Sequence, residues 1–490
     1  MSNNNDNVGN SRLVSAFYWK FLERFGARFG AFILQLVLAR LLEPEHYGTL
    51  SMMIIFTNLA NIFIQKGFNS ALIQNKDVTE DDYSSVFWVT IIVAVIMYII
   101  LFISAPWIAI AFEMPDLTWP FRALCLVLFP GALNSIQLAK ISKNMKFKKV
   151  FVGNIAAMII SGVVGIILAY SGAGLWSLVA NNALNVTVAC IVMWFTVKWR
   201  PKFVCDFARI KVLFSFGWKI LVSGLLDTLY QDLRSLVIGI KYNSKTLGFY
   251  NKGKNFPNFI ITVVNTTVQT VMLPAMSEKQ SEPEKLRSMM RNSIRISSYI
   301  IFPIMAGLAA VGTPLVRILL TEKWLPCVPY MQIYCFTLAF HPVHSCNLQA
   351  INAMGRSDIF LKLEIIKKSY GLITLVIATL FFETPIAIAM TGAITTVISC
   401  FVNALPNKKL IGYSFSQQVM DILPALLMSM AMFGVVLVVQ LLNLNDMITL
   451  LLQGVLGITV YVVLSVVFRI KSFNILFNTL RGTLKKKFSK

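Results

Sequence analysis

The sequence is divided into long apolar runs joined by short polar connections, and this division constrains the fold more than any other feature. A helix needs about 20 consecutive apolar residues to cross the hydrocarbon core of a bilayer. The mean hydropathy of the 490 residues is +0.70, and only 13% of them are charged, whereas a soluble globular protein usually has about 25%. The sequence therefore predicts an all-α integral membrane protein.

Fourteen segments are predicted to be transmembrane helices. They lie at 13–40, 46–73, 84–112, 117–139, 150–171, 174–197, 212–240, 248–276, 292–321, 328–353, 359–382, 385–405, 417–442 and 447–469. The connections between them are too short to form a folded domain outside the membrane. We therefore expect no catalytic residues on an extramembrane loop.

The basic residues predict the orientation of the helices. Of the 44 Lys and Arg residues, 28 fall in the stretches 140–149, 198–211, 279–295, 356–368, 408–409 and 469–490. The connections at 171–174 and 382–385, on the opposite side, carry none. Because Lys and Arg accumulate in cytoplasmic loops, both termini are predicted to be cytoplasmic. The net charge of +22 then reflects topology and contact with anionic membrane lipids, and we expect no nucleic-acid partner.

The first six and the next six predicted helices resemble each other. Gly48 ends the motif EPEHYG, and Gly248 ends NSKTLG at an offset of 200 residues. The same offset relates Asn58 to Asn258, Gln65 to Asn265 and Asn69 to Gln269. We interpret the two sets as six-helix bundles related by a parallel repeat. The predicted divisions are an N-terminal bundle at 1–198, a cytoplasmic linker at 199–211, a C-terminal bundle at 212–411, and two extra helices with a basic tail at 412–490.

Polar and charged side chains recur on one face of the first, second, seventh and eighth predicted helices. Such groups are unfavourable in hydrocarbon and usually face a bundle interior or an aqueous cavity. We predict that they line a hydrophilic, net-positive cavity between the bundles, where amides suit sugar hydroxyls and cations suit phosphate. The predicted substrate-binding residues are Lys20, Arg24, Arg28, Asn58, Gln65, Lys219, Asp227, Gln231, Arg234, Lys252, Asn255, Asn258, Asn265 and Gln269.

Other interpretations of these residues remain open. Lys20 and Lys252 lie near the ends of their helices, from which a long side chain can extend to the interface. Asp227 could neutralise Arg234 or Arg28 instead of contacting substrate. The amides of the eighth helix could form hydrogen bonds between helices.

The histidine and cysteine residues of this chain do not indicate a metal site, a disulfide or a catalytic group. His341 and His344, in the tenth predicted helix, could relay protons, but packing at a helix kink is the simpler explanation. The three histidines and seven cysteines lack the spacing of metal ligands or disulfide pairs. We expect no metal site, no cofactor and no catalytic residues.

Five short stretches resemble one family of exporters. They are LARLLEPEHYG at 38–48, GFNSALIQNKD at 67–77, LGFYN at 247–251, LPAMS at 273–277 and WLP at 324–326. Together they are similar to the polysaccharide-flippase branch of the MOP superfamily, which exports drugs, oligosaccharide-lipids and polysaccharides. The resemblance implies two six-helix bundles around a central cavity and alternating access without ATP hydrolysis.

The resemblance also implies a cargo and a location. The cargo would be an undecaprenyl-pyrophosphate-linked oligosaccharide, moved from the cytoplasmic to the outer leaflet of the bacterial inner membrane. It would serve the synthesis of capsule, exopolysaccharide or O-antigen, beside a polysaccharide polymerase and a chain-length regulator. Two other functions have different requirements. A cation-coupled drug exporter would need carboxylates facing its substrate, and a membrane glycosyltransferase or polymerase would need a large catalytic loop.

Overall fold

The computed structural model describes Gly26 and residues 29–75, 77–144, 147–280 and 282–475, except for the side chains of Pro115, Phe216 and residues 263–275. All regular structure in these ranges is helical. The α-helices are α1 (Phe29–Leu41), α2 (Pro44–Gln74), α3 (Glu80–Ala111), α4 (Thr118–Cys125), α5 (Leu128–Lys143), α6 (Phe147–Tyr170), α7 (Leu175–Thr196), α8 (Phe207–Lys241), α9 (Ser244–Glu278), α10 (Pro283–Ala310), α11 (Gly312–Leu320), α12 (Val328–Ala339), α13 (His341–Ala353), α14 (Ser357–Phe381), α15 (Pro385–Ile411), α16 (Phe415–Val438) and α17 (Asp446–Val467). Short 3-10 helices lie at Pro115–Leu117, Glu322–Cys327 and Val439–Leu442.

Nine helical segments in the described ranges are long and apolar enough to cross a membrane. They are α2, α3, the α4–α5 pair, α6, α7, α10, α15, α16 with the 3-10 turn that follows it, and α17. A tenth is added if α8, whose two arms meet at 51° between Ser215 and Gly217, forms one span. The predicted all-α membrane fold is confirmed.

The predicted count of fourteen transmembrane helices is not confirmed. α1, Phe29–Leu41, is too short to cross a membrane, and α12 and α13 are two short helices separated at Phe340. In α9 and α14, polar and charged residues interrupt the apolar sequence; α14 alone contains Lys362, Glu364, Lys367 and Lys368. Among the described residues, α9 and α14 therefore do not contain a continuous apolar stretch of the length that a membrane span requires.

The described residues pack into two compact units, and the boundary between the units lies between Gly248 and Phe249. Unit 1 contains α1 to α8 and the first turn of α9, and unit 2 contains the remainder. α8 belongs to unit 1 because it packs extensively against α2. The predicted domain boundaries, which derive from the sequence repeat, stay a prediction.

The segment predicted as a linker at 199–211 contains the beginning of a helix. α8 starts at Phe207, because the Asp206 carboxylate accepts a hydrogen bond from the backbone N–H of Arg209 at 3.2 Å. The Arg209 guanidinium in turn pairs with the carboxylate of Asp82 in α3, with Nε 3.0 Å from Oδ1. The start of α8 is therefore fixed to the start of α3 within unit 1.

A buried network of amides joins three helices of unit 2. Asn347 of α13 donates to the side-chain oxygen of Gln418 in α16 at 2.8 Å. It also accepts from the amide nitrogen of Asn407 in α15 at 2.7 Å. All three side chains are buried. Such a network fixes the relative positions of the helices, because an amide left unpaired there would be strongly unfavourable.

His344 belongs to the same part of the core. Its Nδ1 lies 3.2 Å from the amide nitrogen of Asn403 in α15. The helix breaks beside it, between α12 and α13, where Pro342 occupies the first turn. Among the described residues, no three His, Cys, Asp or Glu side chains are arranged to hold a metal ion.

Candidate functional site

The backbones of α2 and α8 approach each other closely in unit 1. A Cβ atom on Gly217 would lie only 2.6 Å from the carbonyl oxygen of Gly67. Glycine is required at such a contact because any side chain would overlap the opposing backbone. The polar residues of the two helices are therefore carried on adjacent, tightly packed backbones.

A second close contact lies at the first turns of α2 and α9. A Cβ on Gly48 would lie 1.6 Å from the carbonyl oxygen of Ser244, and a Cβ on Gly248 would lie 2.0 Å from that of Pro44. Gly48 and Gly248 are the paired positions of the predicted repeat. The two short motifs on which the predicted repeat rests, at 43–48 and 243–248, are therefore in contact with each other within unit 1.

Lys66 is a cation of α2 that the sequence analysis did not select. Its side chain is exposed and crosses Gly224 of α8, where a Cβ would lie 2.7 Å from the lysine Cδ. It has no ion-pair partner among the residues that the structure describes. Lys66 directly follows Gln65 and lies off the helical spacing that connects Asn58 and Gln65. The available signal was that Lys66 is the one Lys or Arg in α2.

The predicted site residues of α8 differ in how exposed their side chains are. Lys219 and Gln231 are exposed, whereas Asp227 and Arg234 are half-buried. The amide of Gln231 donates to the Asp227 carboxylate at 2.8 Å, and the Arg234 guanidinium lies 6.0 Å from the ring centre of Tyr230. α8 therefore presents both charges and amides along its length.

The polar stripe of α2 divides between two environments. Asn58 is exposed, but Gln65 is half-buried and donates to Asn61 at 3.4 Å. Asn69, one turn further, accepts a hydrogen bond from Ser135 of α5 at 2.9 Å. Part of this stripe therefore joins α2 to α5 within unit 1, an arrangement that the sequence analysis considered only for the eighth predicted helix.

The predicted residues of α9 that belong to unit 2 also differ in exposure. Asn255 is exposed and Asn258 is half-buried. Lys252 is buried, and its Nζ lies 5.3 Å from the ring centre of Trp324, within the range of a cation–π contact. The side chains of Asn265 and Gln269, and the residues Lys20, Arg24 and Arg28, lie outside the described part of the chain.

Asp421 of α16 is a buried carboxylate that the sequence analysis also missed. Arg291 and Arg295 of α10 both pair with it, and the Tyr413 hydroxyl donates to it at 2.7 Å. Asp421 is the one acidic residue in the predicted span 417–442, and this alone should have required a cationic partner. All of these residues belong to unit 2, and the ion pairs join α10 to α16. The structural role of the cluster is therefore to hold these two helices together.

Comparison with known proteins identifies similar sequences that act in polysaccharide biosynthesis. The family described as "Polysaccharide biosynthesis protein" matches residues 37–329. The teichuronic acid biosynthesis protein TuaB of Bacillus subtilis (strain 168) is 25% identical over 62% of this chain, and the match spans 63% of TuaB, less than two thirds of its length. The succinoglycan biosynthesis transport protein ExoT of Rhizobium meliloti (strain 1021) is 21% identical over 70% of this chain and 69% of its own. The lipopolysaccharide biosynthesis protein WzxC of Escherichia coli (strain K12) is 22% identical over 83% of this chain and 84% of its own.

Two solved structures share the fold. The lipid II flippase MurJ in an inward closed conformation matches 92% of this chain and 98% of its own, with a TM-score of 0.73 and 16% identity. An inward-facing multidrug resistance MATE family transporter of the MOP superfamily matches 78% of this chain and 95% of its own, with a TM-score of 0.59 and 15% identity. At these identities the likeness concerns the fold alone.

Proposed function

Because the chain belongs to the polysaccharide biosynthesis protein family, we propose that it is a flippase that moves lipid-linked oligosaccharide repeat units across a membrane. The expected resemblance to the polysaccharide-flippase branch of the MOP superfamily is confirmed by the family match, the relatives and the exporter fold. The chain is a multi-pass membrane transporter, not an enzyme.

The proposed cargo is an oligosaccharide attached to undecaprenyl pyrophosphate. It would pass from the cytoplasmic to the outer leaflet of the bacterial inner membrane, with both termini of the protein on the cytoplasmic side. The products would be capsule, exopolysaccharide or O-antigen, and a polymerase and a chain-length regulator are the proposed partners. The names of TuaB, ExoT and WzxC and the likeness to a lipid II flippase support this cargo class.

The observation that carries the proposal at the level of residues is the exposed polar surface of α2 and α8. Lys66, the one Lys or Arg in α2, is exposed, and so are Lys219 and Gln231 on α8. A lysine in an apolar span is unfavourable unless it meets water or an anion. A pyrophosphate crossing the membrane supplies that anion, and amides such as Gln231 can donate to and accept from sugar hydroxyls.

The mechanism follows from the division of the cargo into a polar head and an apolar tail. Alternating access lets the head cross in a hydrated path while the polyprenyl chain stays in lipid. Lys66, Lys219 and Arg234 would neutralise the pyrophosphate, and Asn58, Gln231, Asn255 and Asn258 would contact the sugar. Lys20, Arg24, Arg28, Gln65, Asp227, Lys252, Asn265 and Gln269 stay predicted members of the same site.

A cation-coupled drug exporter is the rival function within the superfamily. A carboxylate facing a cationic drug would be its signature, and the MATE structure shares the fold. On α8 the candidate carboxylate, Asp227, already accepts a hydrogen bond from Gln231. Together with the exposed lysines, this arrangement favours an anionic cargo.

Deletion of the gene tests the proposed function directly. We expect radiolabelled lipid-linked repeat units to accumulate on the cytoplasmic leaflet of the deletion strain, because synthesis continues while export stops. The leaflet is determined by accessibility to a sugar-modifying enzyme added outside spheroplasts. Unchanged glycolipids together with altered drug resistance would contradict the proposal and support a drug exporter.

Neutralising Lys66 or Arg234 is expected to reduce export about tenfold or more, because each charge-assisted contact with phosphate contributes about 1.5–3 kcal/mol. The variants Lys66→Gln and Arg234→Gln are compared by the same glycolipid assay. Lys66→Arg should retain most of the export, since it keeps the charge. Lys408→Gln, which removes an exposed charge at the end of α15, is the matched control. Wild-type export by both Gln variants would remove these residues from the site.

A further inference from the structure

We propose that unit 2 binds the phosphate headgroup of an anionic phospholipid in a cleft between α10, α16 and the residues that follow α17. The cleft has a volume of about 220 Å³. Its basic lining residues are Arg295, Arg469 and Lys471, and its buried wall includes Tyr299 and Ser472. This site goes beyond the proposed transport function and does not depend on it.

The cleft has more positively than negatively charged side chains, which favours binding of an anion. Asp421 is the one carboxylate that lines it, and two arginines, Arg291 and Arg295, already share that carboxylate. Arg469 and Lys471 are exposed, and neither has an ion-pair partner within the described ranges. The cluster therefore carries more positive than negative charge, which suits a phosphate group.

The backbone holds Arg469 in a conformation that an arginine rarely adopts. Its φ is 48°, in the left-handed region where glycine is usual. The turn is closed by two hydrogen bonds, from Arg469 N–H to the carbonyl of Val466 at 3.1 Å and from Ile470 N–H to that of Ser465 at 3.0 Å. Many helices end in this arrangement, and the residue at the position of Arg469 is then usually a glycine. An arginine that is strained in this way and lines a cationic cleft points to a binding role.

Hydrogen bonds join the two helices beside the cleft. The hydroxyl groups of Tyr299 in α10 and Ser465 in α17 are hydrogen-bonded at 2.6 Å, and the Tyr461 hydroxyl donates to the carbonyl of Tyr299 at 2.8 Å. The hydrogen bonds thus connect α10, which carries Arg295, to the end of α17, from which the turn with Arg469 continues.

The surroundings of the cleft favour a lipid over free phosphate. Met420, Pro424 and Ile470 line it, and Met420 and Leu427 of α16 are 67% and 55% exposed. Apolar side chains beside a cluster of cations match a charged headgroup with acyl chains attached. The stretch 469–490 is predicted to be cytoplasmic, and the cytoplasmic leaflet is the one enriched in anionic lipid.

The test measures thermal unfolding of the full-length chain in neutral detergent. We expect phosphatidylglycerol, but not phosphatidylcholine, to raise the melting temperature. The double variant Arg469→Gln/Lys471→Gln should lose at least half of that increase. Lys408→Gln/Lys409→Gln, which removes two exposed charges at the end of α15, should keep it. Native mass spectrometry should show fewer phosphatidylglycerol molecules retained by the Arg469→Gln/Lys471→Gln variant.

Arg469→Gly separates binding from folding. Glycine relieves the left-handed backbone, so the melting temperature without lipid should not fall, while the response to phosphatidylglycerol should weaken. An equal response to phosphatidylglycerol in the wild type and the Gln double variant would overturn the proposal. So would an equal increase with phosphatidylcholine, and inorganic phosphate alone giving the full increase would overturn the assignment to a lipid.

Discussion

Replacing Asp421 with asparagine is expected to destabilise the protein by about 3 kcal/mol. Removing one partner of a buried ion pair leaves a charge without compensation, which is destabilising by about 3–5 kcal/mol. We expect the lower end of this range, because the side chains of Arg295 and Arg291 are 29% and 39% exposed and water screens them in part. The Asp421 side chain itself is only 2% exposed.

The loss of stability in Asp421→Asn has two physical causes. Asparagine keeps one oxygen acceptor and replaces the other oxygen with an N–H₂ group. If that group replaces Oδ2, the hydrogen bonds from Arg291 at 2.6 Å and Tyr413 at 2.7 Å are lost. If it replaces Oδ1, the hydrogen bond from Arg295 at 2.9 Å is lost. It also leaves two guanidinium groups adjacent without a counter-charge. Both effects separate α10 from α16, so the melting temperature in detergent should fall markedly.

Two controls distinguish the loss of charge compensation from a general effect of mutation. Asp81→Asn removes an exposed carboxylate that pairs with Lys202 at 3.0 Å, and its effect should be below about 1 kcal/mol. Adding Arg295→Gln to Asp421→Asn should recover part of the lost stability, since it removes one of the uncompensated charges. A double variant less stable than Asp421→Asn alone would contradict the electrostatic explanation.

The sequence predicted the membrane fold well because burial in lipid imposes a strong local pattern. Runs such as 84–112 and 447–469 correspond closely to α3 and α17. The kink expected beside His341 and His344 is a complete break in the structure: the helix is interrupted at Phe340, in the middle of one predicted span. The apolar run at 328–353 continues through this break, so hydropathy alone could not locate it, although Pro342 marked the position.

The polar contacts were less predictable than the fold, because they join segments that are distant in the sequence. Asp421 and Arg291 are separated by 130 residues, and no local spacing indicates that they pair. Helical spacing selected Gln65, which bonds Asn61 within its own helix, and passed over Lys66, which is exposed beside Gly224. Spacing identifies a face of a helix, but the neighbouring helices decide whether that face meets water, lipid or protein.

Replacing Gly48 with alanine is expected to destabilise the protein by about 1–3 kcal/mol, the range for overpacking a close contact. The new Cβ would lie 1.6 Å from the carbonyl oxygen of Ser244 and 2.9 Å from the backbone nitrogen of Gly248. Both opposing atoms are backbone atoms, so no side chain can rotate away, and the first turns of α2 and α9 must separate. Export should fall as well, because the contact helps to position α2, which carries Asn58 and Lys66.

Gly454→Ala provides the matched control with the opposite expected sign. Gly454 lies within α17, and a Cβ there would meet nothing within 4 Å. Alanine is the better helix former, so this variant should be more stable by about 0.5–1 kcal/mol. Thermal unfolding of the two variants in the same detergent therefore separates helix propensity from backbone packing. If Gly48→Ala were as stable as Gly454→Ala, the first turns of α2 and α9 could not be in backbone contact in the native protein.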